Sequence, residues 1–370
     1  MKMRFYRPTW AEVNLANLAH NFRQIKKMIS PQTKIMVTVK ADAYGHGLIP
    51  VAKKVVSCGA DFLGVASVDE GIKIRVGGIN IPVLVLGAIL KKDIPPVLNY
   101  NLTPTICDED FSLALNRLAG KRNKKVNVHI KVDTGMGRVG VMPQEAERMV
   151  EKINKLHFIN IEGIFTHLAS ADTDKDFTFY QIDIFNQLIQ RLRNKGIAVP
   201  LIHSANSIGT INYKNSHFNM VRPGLVIYGL YPKKGLKINL KAVLSLKTKV
   251  VFIKRVPAGY SISYGRTYFT KKPTTIVTIP IGYGDGYPRN LSNRGPVLIK
   301  GRCFKICGRI CMDQIMVDVG DLNVKIGDEA VLIGNQGRKR ICAEELAELA
   351  ETIPYDIVCG LGNRIPRIYT

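Results

Sequence analysis

The stretch Ile35-Met-Val-Thr-Val-Lys-Ala-Asp-Ala-Tyr-Gly-His-Gly47 decides how the rest of the chain is interpreted. Its first five residues are a short β-rich run, and Lys40 follows directly. A second helical pattern begins at Leu48. The residues upstream have an apolar repeat at helical spacing: Leu15, Leu18, Phe22, Ile25 and Ile29. The stretch therefore predicts a buried strand between two helices, with a lysine at its carboxyl end.

The same alternation continues outward over the first part of the chain. Further strands are predicted, mostly separated by helical stretches such as residues 173–193: residues 62–66, 82–86, 102–106, 126–132, 159–165, 200–203 and 218–221. Parallel neighbouring strands need a crossover connection, so strict alternation predicts a parallel sheet. Eight such repeats over about 225 residues fit a (β/α)8 TIM-type barrel, and a doubly wound open sheet is the alternative.

Polar residues at the ends of these strands favour the barrel. Lys40 ends the first predicted strand, Lys131 lies at the end of the fifth, and His167 follows the sixth. His203 ends the seventh, and Arg222 follows the eighth. In a closed barrel all these positions converge on the face that holds barrel active sites, whereas an open sheet would spread them along an edge.

From about residue 240 the pattern changes to β-rich runs separated by turns: residues 242–255, 274–281, 297–301, 303–310, 314–319 and 329–333. A single helix is predicted at residues 343–351. The chain is therefore divided into a barrel at residues 1–240 and a mainly-β domain at residues 241–370. Residues 10–15 alternate weakly, so we expect the first ~12 residues to pack with the second domain.

The bulk composition restricts the partners. The formal charge is +24, but the Lys and Arg residues are scattered and form no basic tail, so we expect no nucleic-acid partner. No run of about 18 apolar residues is present, so we expect no membrane contact. The basic N-terminus lacks a following apolar segment, so it is not a secretory signal, and we expect a cytoplasmic protein. Seven cysteines, an odd number, favour a reducing compartment.

Cys303, Cys307 and Cys311 are evenly spaced and need a separate interpretation. A metal site is one possibility, but no nearby histidine completes a recognised ligand spacing. The favoured interpretation is that all three lie on one face of extended chain and pack as small hydrophobic residues. The sequence therefore predicts no metal.

Lys40 is the first candidate for chemistry. A lysine at the end of a buried strand is costly unless it is neutral, paired or covalently bonded. Burial lowers the pKa of a lysine and frees its amine for Schiff-base formation. The glycines beside Tyr44 and His46 let the backbone turn tightly over a cofactor. The alternative is a solvated lysine followed by an ordinary loop.

Residues 39–47 resemble the cofactor-lysine motif of alanine racemases, which belong to the barrel class of pyridoxal-phosphate enzymes. The similarity covers essentially the whole chain and is carried by segments in the same order: 131–138 (KVDTGMGR), 166–169 (THLA), 203–207 (HSANS), 221–224 (VRPG), 263–265 (SYG), 282–289 (GYGDGYPR), 309–314 (RICMDQ), 354–355 (PY) and 364–367 (RIPR). The resemblance implies pyridoxal 5'-phosphate as cofactor.

It also implies the catalytic pair. Lys40 would carry the cofactor and act as base on one face of the substrate, while Tyr264 would act on the opposite face. Racemisation needs both, because a proton leaves one side of Cα and another arrives from the other side. In the family this tyrosine reaches the active site of the partner subunit, so a homodimer with composite sites is expected. Tyr260 and Tyr268 lie nearby, so only the resemblance singles Tyr264 out.

The remaining site residues are likewise implied by the resemblance. Arg222 would meet the pyridine nitrogen and keep it unprotonated, with His167 beside the ring. Residues of the phosphate and cofactor cradle would be Asn206, Ser207, Gly224, Leu225, Tyr44 and Tyr355. Ser207 as a simple helix cap is compatible with this role.

Arg138 and the backbone of Met312 would bind the substrate carboxylate. Lys131 aligns with a lysine that is often carbamylated in the family, which would orient Arg138. Tyr283 and Tyr355 would narrow the entrance, and Asp313 would support the motif that contains Met312.

These expectations indicate interconversion of L- and D-alanine, with D-alanine supplied to peptidoglycan. A serine racemase or a broader amino-acid racemase of the same fold is the nearest alternative. A barrel protein that carries the cofactor without catalysing a reaction is a third, but such proteins lack the β domain that begins at residue 242.

Overall fold

The computed structural model describes residues 6–370, and its first strand is β1 (Thr9–Val13). Eight parallel strands then follow: β2 (Lys34–Thr38), β3 (Phe62–Val65), β4 (Val83–Val85), β5 (Thr103–Ile106), β6 (Val126–Lys131), β7 (Ile159–Phe165), β8 (Leu201–His203) and β9 (Met220–Val221). They are hydrogen-bonded in the order β8-β7-β6-β5-β4-β3-β2-β9. The (β/α)8 prediction is confirmed, as is the prediction of these eight strands.

The barrel is nearly closed between its last two strands. No strand ladder joins β8 to β9 among the described residues, but Asn219 connects them on both sides. Its backbone N–H donates to the carbonyl of Ile202 at 3.3 Å, and its side-chain oxygen accepts from the N–H of Ile202 at 2.7 Å. The side chain of Asn219 therefore helps to join β8 and β9, where no backbone ladder connects the two strands within residues 6–370.

Helices cover the outside of the barrel: α1 (Leu15–Met28), α2 (Lys40–Tyr44), α3 (Leu48–Ser57), α4 (Val68–Val76), α5 (Ile94–Asn99), α6 (Glu109–Gly120), α7 (Pro143–Asn154), α8 (Lys175–Asn194) and α9 (Ser207–Asn212). The long predicted helix begins at Lys175 because Asp174 is its cap and accepts from the N–H of Phe177 at 2.9 Å. Leu18, Phe22 and Ile25 bury the apolar face of α1, as their spacing predicts.

The short element α2 is left-handed, which the sequence did not predict. Ala41, Asp42, Ala43 and Tyr44 have φ between 52° and 54°, and Gly45 continues at 76°. A tight turn was expected at the glycines, but the left-handed path starts at four residues that carry side chains. Such backbone costs roughly 1–2 kcal/mol per residue, so its surroundings must hold it.

The C-terminal part is mainly β, as predicted. Its strands are β10 (Leu244–Lys249), β11 (Phe252–Val256), β12 (Ser261–Ile262), β13 (Tyr268–Phe269), β14 (Thr274–Ile279), β15 (Pro296–Ile299), β16 (Arg302–Lys305), β17 (Ile315–Gly320), β18 (Glu329–Gln336), β19 (Lys339–Ile341) and β20 (Arg367–Tyr369), with helices α10 (Ala343–Ala350) and α11 (Pro354–Cys359). The larger sheet has the order β16-β15-β18-β10-β1-β20, with β19 on β18. Strand β1 pairs with β10, so the expected contact of the N-terminal stretch with the β domain is present, while residues 1–5 lie outside the described chain.

Three local predictions in this part were wrong. The run at residues 242–255 is β-rich, but its extent as one uninterrupted run is not observed: the chain leaves the larger sheet after β10, and β11 joins a second sheet with β14 and β17. The cysteines do not share one extended face, because β16 ends at Lys305, Cys303 is exposed and Cys307 is buried. The helix α11 was missed, although Pro354 at its first turn is a typical start signal.

Two further observations concern residues 6–370 only. No helix in that range is long and apolar enough to cross a membrane. Nor does that range bring together three His, Cys, Asp or Glu side chains in a group that could hold a metal ion.

Candidate active site

A cavity of about 350 Å³ lies at the carboxyl ends of the barrel strands. Most of the predicted site residues line it: Lys40, Tyr44, Lys131, Arg138, His167, Asn206, Ser207, Arg222, Gly224, Leu225 and Tyr355. The other lining residues are Thr38, Leu86, Phe165 and Ile353. The convergence that was expected of a barrel is therefore what the structure contains.

Lys40 is held at this face by the left-handed element α2. The N–H of Ala41 donates to one oxygen of Glu70 at 2.6 Å, and the N–H of Ala66 donates to the other at 2.7 Å. Burial lowers the pKa of Lys40, and the positive charge of Arg138 lowers it further. Both effects favour the neutral, nucleophilic amine.

Arg222 is buried and oriented by three acceptors. Its guanidinium donates to the carbonyls of Thr166 at 2.7 Å and Ser204 at 3.1 Å, and to Nδ1 of His203 at 2.7 Å. His167 Nδ1 lies 3.5 Å from the same group, near Arg222 as the resemblance implied. Burial lowers the pKa of Arg222 to about 9. These hydrogen bonds fix the guanidinium in one orientation.

Lys131 and Arg138 add two more cations to the cavity wall. The Lys131 amine lies 4.5 Å from the ring centre of Phe165. Burial lowers its pKa far below the ordinary value, and Arg222 and Arg138 lower it further. Among its described lining residues the cavity has four cationic side chains and no carboxylate, so it favours an anionic ligand.

The loop that carries Arg138 is shaped by Asp133. One carboxylate oxygen accepts from the N–H groups of Gly135, Met136 and Gly137 at 3.0, 2.8 and 3.1 Å. The other accepts from the N–H of Arg138 at 3.1 Å. These bonds lower the pKa of Asp133, so it stays ionised and holds the loop closed.

Tyrosines and small residues form the opposite wall. The ring of Tyr44 lies 4.8 Å from that of Tyr228 and 5.6 Å from that of Tyr355. A Cβ at Gly224 would lie 2.8 Å from the hydroxyl of Tyr44, so only glycine leaves this approach open. The cap of α9 is Asn206, which accepts from the N–H of Gly209 at 2.9 Å.

Ser207 therefore is not the helix cap that was considered as an alternative. Its hydroxyl accepts from the N–H of Gly224 at 3.0 Å and joins the seventh and eighth strand ends. The cap of α9 and the hydrogen bond to Gly224 therefore belong to two adjacent residues.

Four predicted residues lie elsewhere in the protomer: Tyr264, Tyr283, Met312 and Asp313. Tyr264 is 69% exposed and lines an open surface cavity of about 510 Å³ together with Met312 and Asp313. The structure does not bring these residues to the cavity of Lys40 within one protomer.

This second group, which we call the Tyr264 surface, is organised around Asp285. That buried carboxylate accepts from the N–H of Gly282 at 2.9 Å and from Arg7 at 2.6 Å. The carbonyl of Met312 accepts from the N–H of Gly284 at 2.9 Å, and Asp313 accepts from Arg364 at 2.6 Å.

The chain is similar to known proteins in both sequence and structure. Residues 13–232 match the alanine racemase N-terminal domain, and residues 243–369 match the alanine racemase C-terminal domain. The chain is 50% identical to the alanine racemase of Halothermothrix orenii over all of this chain and 98% of that protein. It is 46% identical to the alanine racemase of Carboxydothermus hydrogenoformans over 98% of this chain and 100% of that protein.

The solved alanine racemase of Clostridium difficile 630 superposes with a TM-score of 0.94 and 38% identity, covering 99% of this chain and 97% of that one. The chain belongs to the alanine racemase family. It is therefore an enzyme of the isomerase class. The match to the C-terminal domain also removes the interpretation as a single-barrel carrier protein.

Alanine racemase motifs identified most of the cavity, but they missed the residues that support it. Glu70 anchors the Lys40 turn, and Arg7 neutralises Asp285 under the Tyr264 surface. Phe165 lies against both Lys131 and Arg222. Phe165 could have been found, because it ends a predicted strand two residues before His167. Glu70 and Arg7 carry no local signal, since their partners are distant in sequence.

Proposed function

We propose that this chain interconverts L-alanine and D-alanine with pyridoxal 5'-phosphate, using Lys40 and the partner subunit's Tyr264 as the two acid/base groups. The observation that supports this most is the position of the Lys40 amine at the strand ends, in a barrel cavity lined by four basic side chains. Burial and the positive charge of Arg138 lower the pKa of this amine. The two curated relatives named alanine racemase align with 100% and 98% of this chain.

The residues of the cavity fit the cofactor. Four cations without a lining carboxylate suit its phosphate, and the hydroxyls of Ser207, Tyr44 and Tyr355 supply further polar contacts. Arginine has five N–H donors, and Arg222 directs three hydrogen bonds to His203, Thr166 and Ser204. Two donors therefore remain for the pyridine nitrogen, and Gly224 and Leu225 complete the backbone cradle with Asn206.

The chain's own residues then handle the protons. When bound, the cofactor withdraws electrons from the Cα–H bond of the substrate. The Nζ of Lys40 takes or returns the proton on one side, and the hydroxyl of the partner's Tyr264 does so on the other. Arg138 and the backbone of the partner's Met312 hold the substrate carboxylate. Lys131 supports Arg138, and its lowered pKa keeps its amine reactive toward carbamylation.

A homodimer follows from this assignment. Tyr264 is exposed in its own protomer and lies outside the cavity of Lys40. Met312 and Asp313 line the same surface cavity as Tyr264, and the N–H of Tyr283 donates to the carbonyl of Cys311 in that lining, so one subunit would present them together at the entrance of the other.

One experiment tests the proposal. The purified protein is examined for visible absorbance of bound cofactor, and L-to-D conversion of alanine and of serine is followed separately. We expect bound cofactor and conversion of alanine well above serine, with both signals lost in Lys40→Ala. Equal rates on serine would indicate a broad racemase, and no cofactor with no conversion would contradict the proposal. We further propose that the D-alanine serves peptidoglycan, which rescue of a D-alanine-requiring strain tests.

A further inference from the structure

A chain of polar side chains runs through the interior of the barrel from its amino-terminal end to the active-site cavity. Glu162 Oε2 lies 3.3 Å from Nε2 of His129. His129 Nδ1 lies 2.8 Å from Nε2 of His203, and His203 Nδ1 lies 2.7 Å from Nη1 of Arg222. Both histidines are fully buried, whereas Glu162 is 18% exposed. The assigned functions of the site account for Arg222 but not for Glu162 or His129.

The direction of every hydrogen bond in this series of side chains follows from Arg222, which lies at its active-site end. Arg222 can only donate, so Nδ1 of His203 accepts and its proton must sit on Nε2. That proton faces Nδ1 of His129, which therefore accepts and carries its own proton on Nε2. This proton faces Glu162, whose carboxylate can only accept. A single arrangement of protons satisfies all four groups, with both rings neutral.

The backbone is adapted to bring Glu162 into this position. In the pairing of β6 with β7, Val128 is opposite Ile161 while His129 is opposite Gly163, so Glu162 is an extra residue in a β-bulge. Bulges turn a side chain that regular alternation would point elsewhere. Ile161 and Ile164 accordingly share the helix-side core although they are three residues apart.

Gly163 makes room for this series of side chains, because it has no Cβ beside the ring of His129. A Cβ at this position would lie 2.5 Å from Nδ1 of His129, a distance that no side chain can occupy. The second oxygen of Glu162 accepts from Asn127 at 2.9 Å, so both carboxylate oxygens are fixed. The ring of His203 is stacked on Phe165 at 4.8 Å with an angle of 4°, which holds its plane.

We propose that Glu162 and His129 are positioning residues that fix the proton of His203 on Nε2 and so keep Arg222 in its orientation toward the active site. If the proton moved to Nδ1, two donors would face each other at the 2.7 Å separation from Arg222. Arg222 would turn away, and its two remaining donors would leave the cavity. This inference rests on the proposed function for its effect on catalysis, but the proton arrangement itself does not.

The first test is NMR of the wild-type holoenzyme with ¹⁵N-labelled histidine. The chain has seven histidines, and His129→Gln and His203→Gln identify the two signals by their loss. We expect both rings to be neutral with the proton on Nε2. A proton on Nδ1 of either ring would overturn the proposal, even if Glu162→Leu failed to fold. If the protein failed to racemise alanine, the proposed function would be contradicted. The NMR spectra would still report where the protons of His129 and His203 lie.

The second test removes the acceptor at the far end. Glu162→Leu should let the protons of His129 and His203 redistribute, and kcat should fall about tenfold while KM changes less than about twofold. Glu162→Gln keeps an acceptor oxygen and should recover most of kcat and the wild-type ¹⁵N shifts. Glu147→Leu, which removes a carboxylate that is paired with Arg191 and Lys195 on the helix layer, is the matched control and should change neither. Unchanged ¹⁵N shifts and kcat in Glu162→Leu, or a change in KM alone, would overturn the proposal.

Discussion

Replacing Gly45 by alanine should disconnect the lysine turn from the C-terminal helix that closes the cavity. Gly45 has φ of 76°, and a Cβ there would lie 2.1 Å from the carbonyl oxygen of Val358 in α11. The same helix carries Tyr355, whose ring packs 5.6 Å from that of Tyr44. Because a backbone atom is in the way, the helix must move and take Tyr355 with it.

The expected magnitude has two parts. An alanine at positive φ costs roughly 1 kcal/mol relative to glycine. Overpacking against Val358 adds roughly 1–3 kcal/mol. For a chain of 370 residues, 1 kcal/mol corresponds to roughly 1.3 °C of melting temperature, so Gly45→Ala should lower it by roughly 3–5 °C.

Gly196 provides the matched control. Its φ is 74°, it is exposed after α8, and a Cβ there would meet nothing within 4 Å. Gly196→Ala therefore has the same backbone cost without the collision and should lower the melting temperature by roughly 1 °C.

The assay combines thermal melting, visible absorbance as a measure of cofactor retention, and the alanine racemisation rate. Gly45→Ala should lose cofactor affinity and rate as well as stability, because the Tyr355 wall is displaced. Gly196→Ala should keep both. Equal melting temperatures and equal cofactor affinity in the two variants would refute the idea that α11 is seated on Gly45.

Three further changes test other parts of the structure. Tyr264→Phe should leave the cofactor bound and lower exchange of the Cα hydrogen with solvent from one enantiomer by about 10²–10⁴-fold, as exchange measured separately on L- and D-alanine will show; wild-type exchange from both would remove Tyr264 from its role. Burial and two nearby arginines lower the pKa of Lys131, so the unfolded chain binds more protons between that lowered pKa and about 10.4. Stability of the cofactor-free protein should rise with pH across that window, and melting at neutral pH and near pH ~10 should show a smaller rise in Lys131→Met, in which the lowered pKa of Lys40 still contributes. Gly163→Ala should cost roughly 1–3 kcal/mol and lower kcat, because its Cβ displaces the ring of His129; wild-type melting and kcat would contradict this.

The barrel was predictable because its strands are set by local sequence. Apolar runs of four to seven residues recur between helical repeats, and each observed strand lies within the predicted range or differs by one residue at an end. Several helices of this half start at short polar caps such as Asp108 and Asp174, which can be recognised in the sequence. In this region local preference and tertiary structure agree.

The β domain was less predictable because its breaks depend on distant contacts. The sequence after Lys249 remains β-rich, yet the chain changes sheets there: the N–H of Val250 still donates to Asp328 beside β18, and the N–H of Val251 donates to Thr278 in β14. Nothing near Val250 indicates either partner. The left-handed path of Ala41 to Tyr44 is likewise imposed from outside, by Glu70 on one side and by Arg367 on the carbonyl of Gly45 on the other.

Site residues divide in the same way. Those at strand ends were predictable from topology, because a closed barrel leaves them only one place to meet. Tyr264 and Met312 came from resemblance alone, and in one protomer they lie apart from the cavity. Glu162 was missed because regular alternation gives no indication of a bulge, and only the register of β6 with β7 reveals that its side chain reaches His129.

The left-handed turn at residues 41–44, which the sequence did not predict, costs folding free energy, and so does the concentration of basic side chains in the cavity beside it. Four left-handed residues at roughly 1–2 kcal/mol each represent a large part of a typical folding free energy of roughly 5–15 kcal/mol. Arg138 and Arg222 lie beside that turn with no carboxylate among the described lining residues, and burial together with their positive charges lowers the pKa of Lys131. An anionic group that binds the folded form alone offsets both terms by mass action. The melting temperature of this protein should therefore rise with the concentration of pyridoxal 5'-phosphate, and a melting temperature that does not change with cofactor concentration would contradict this.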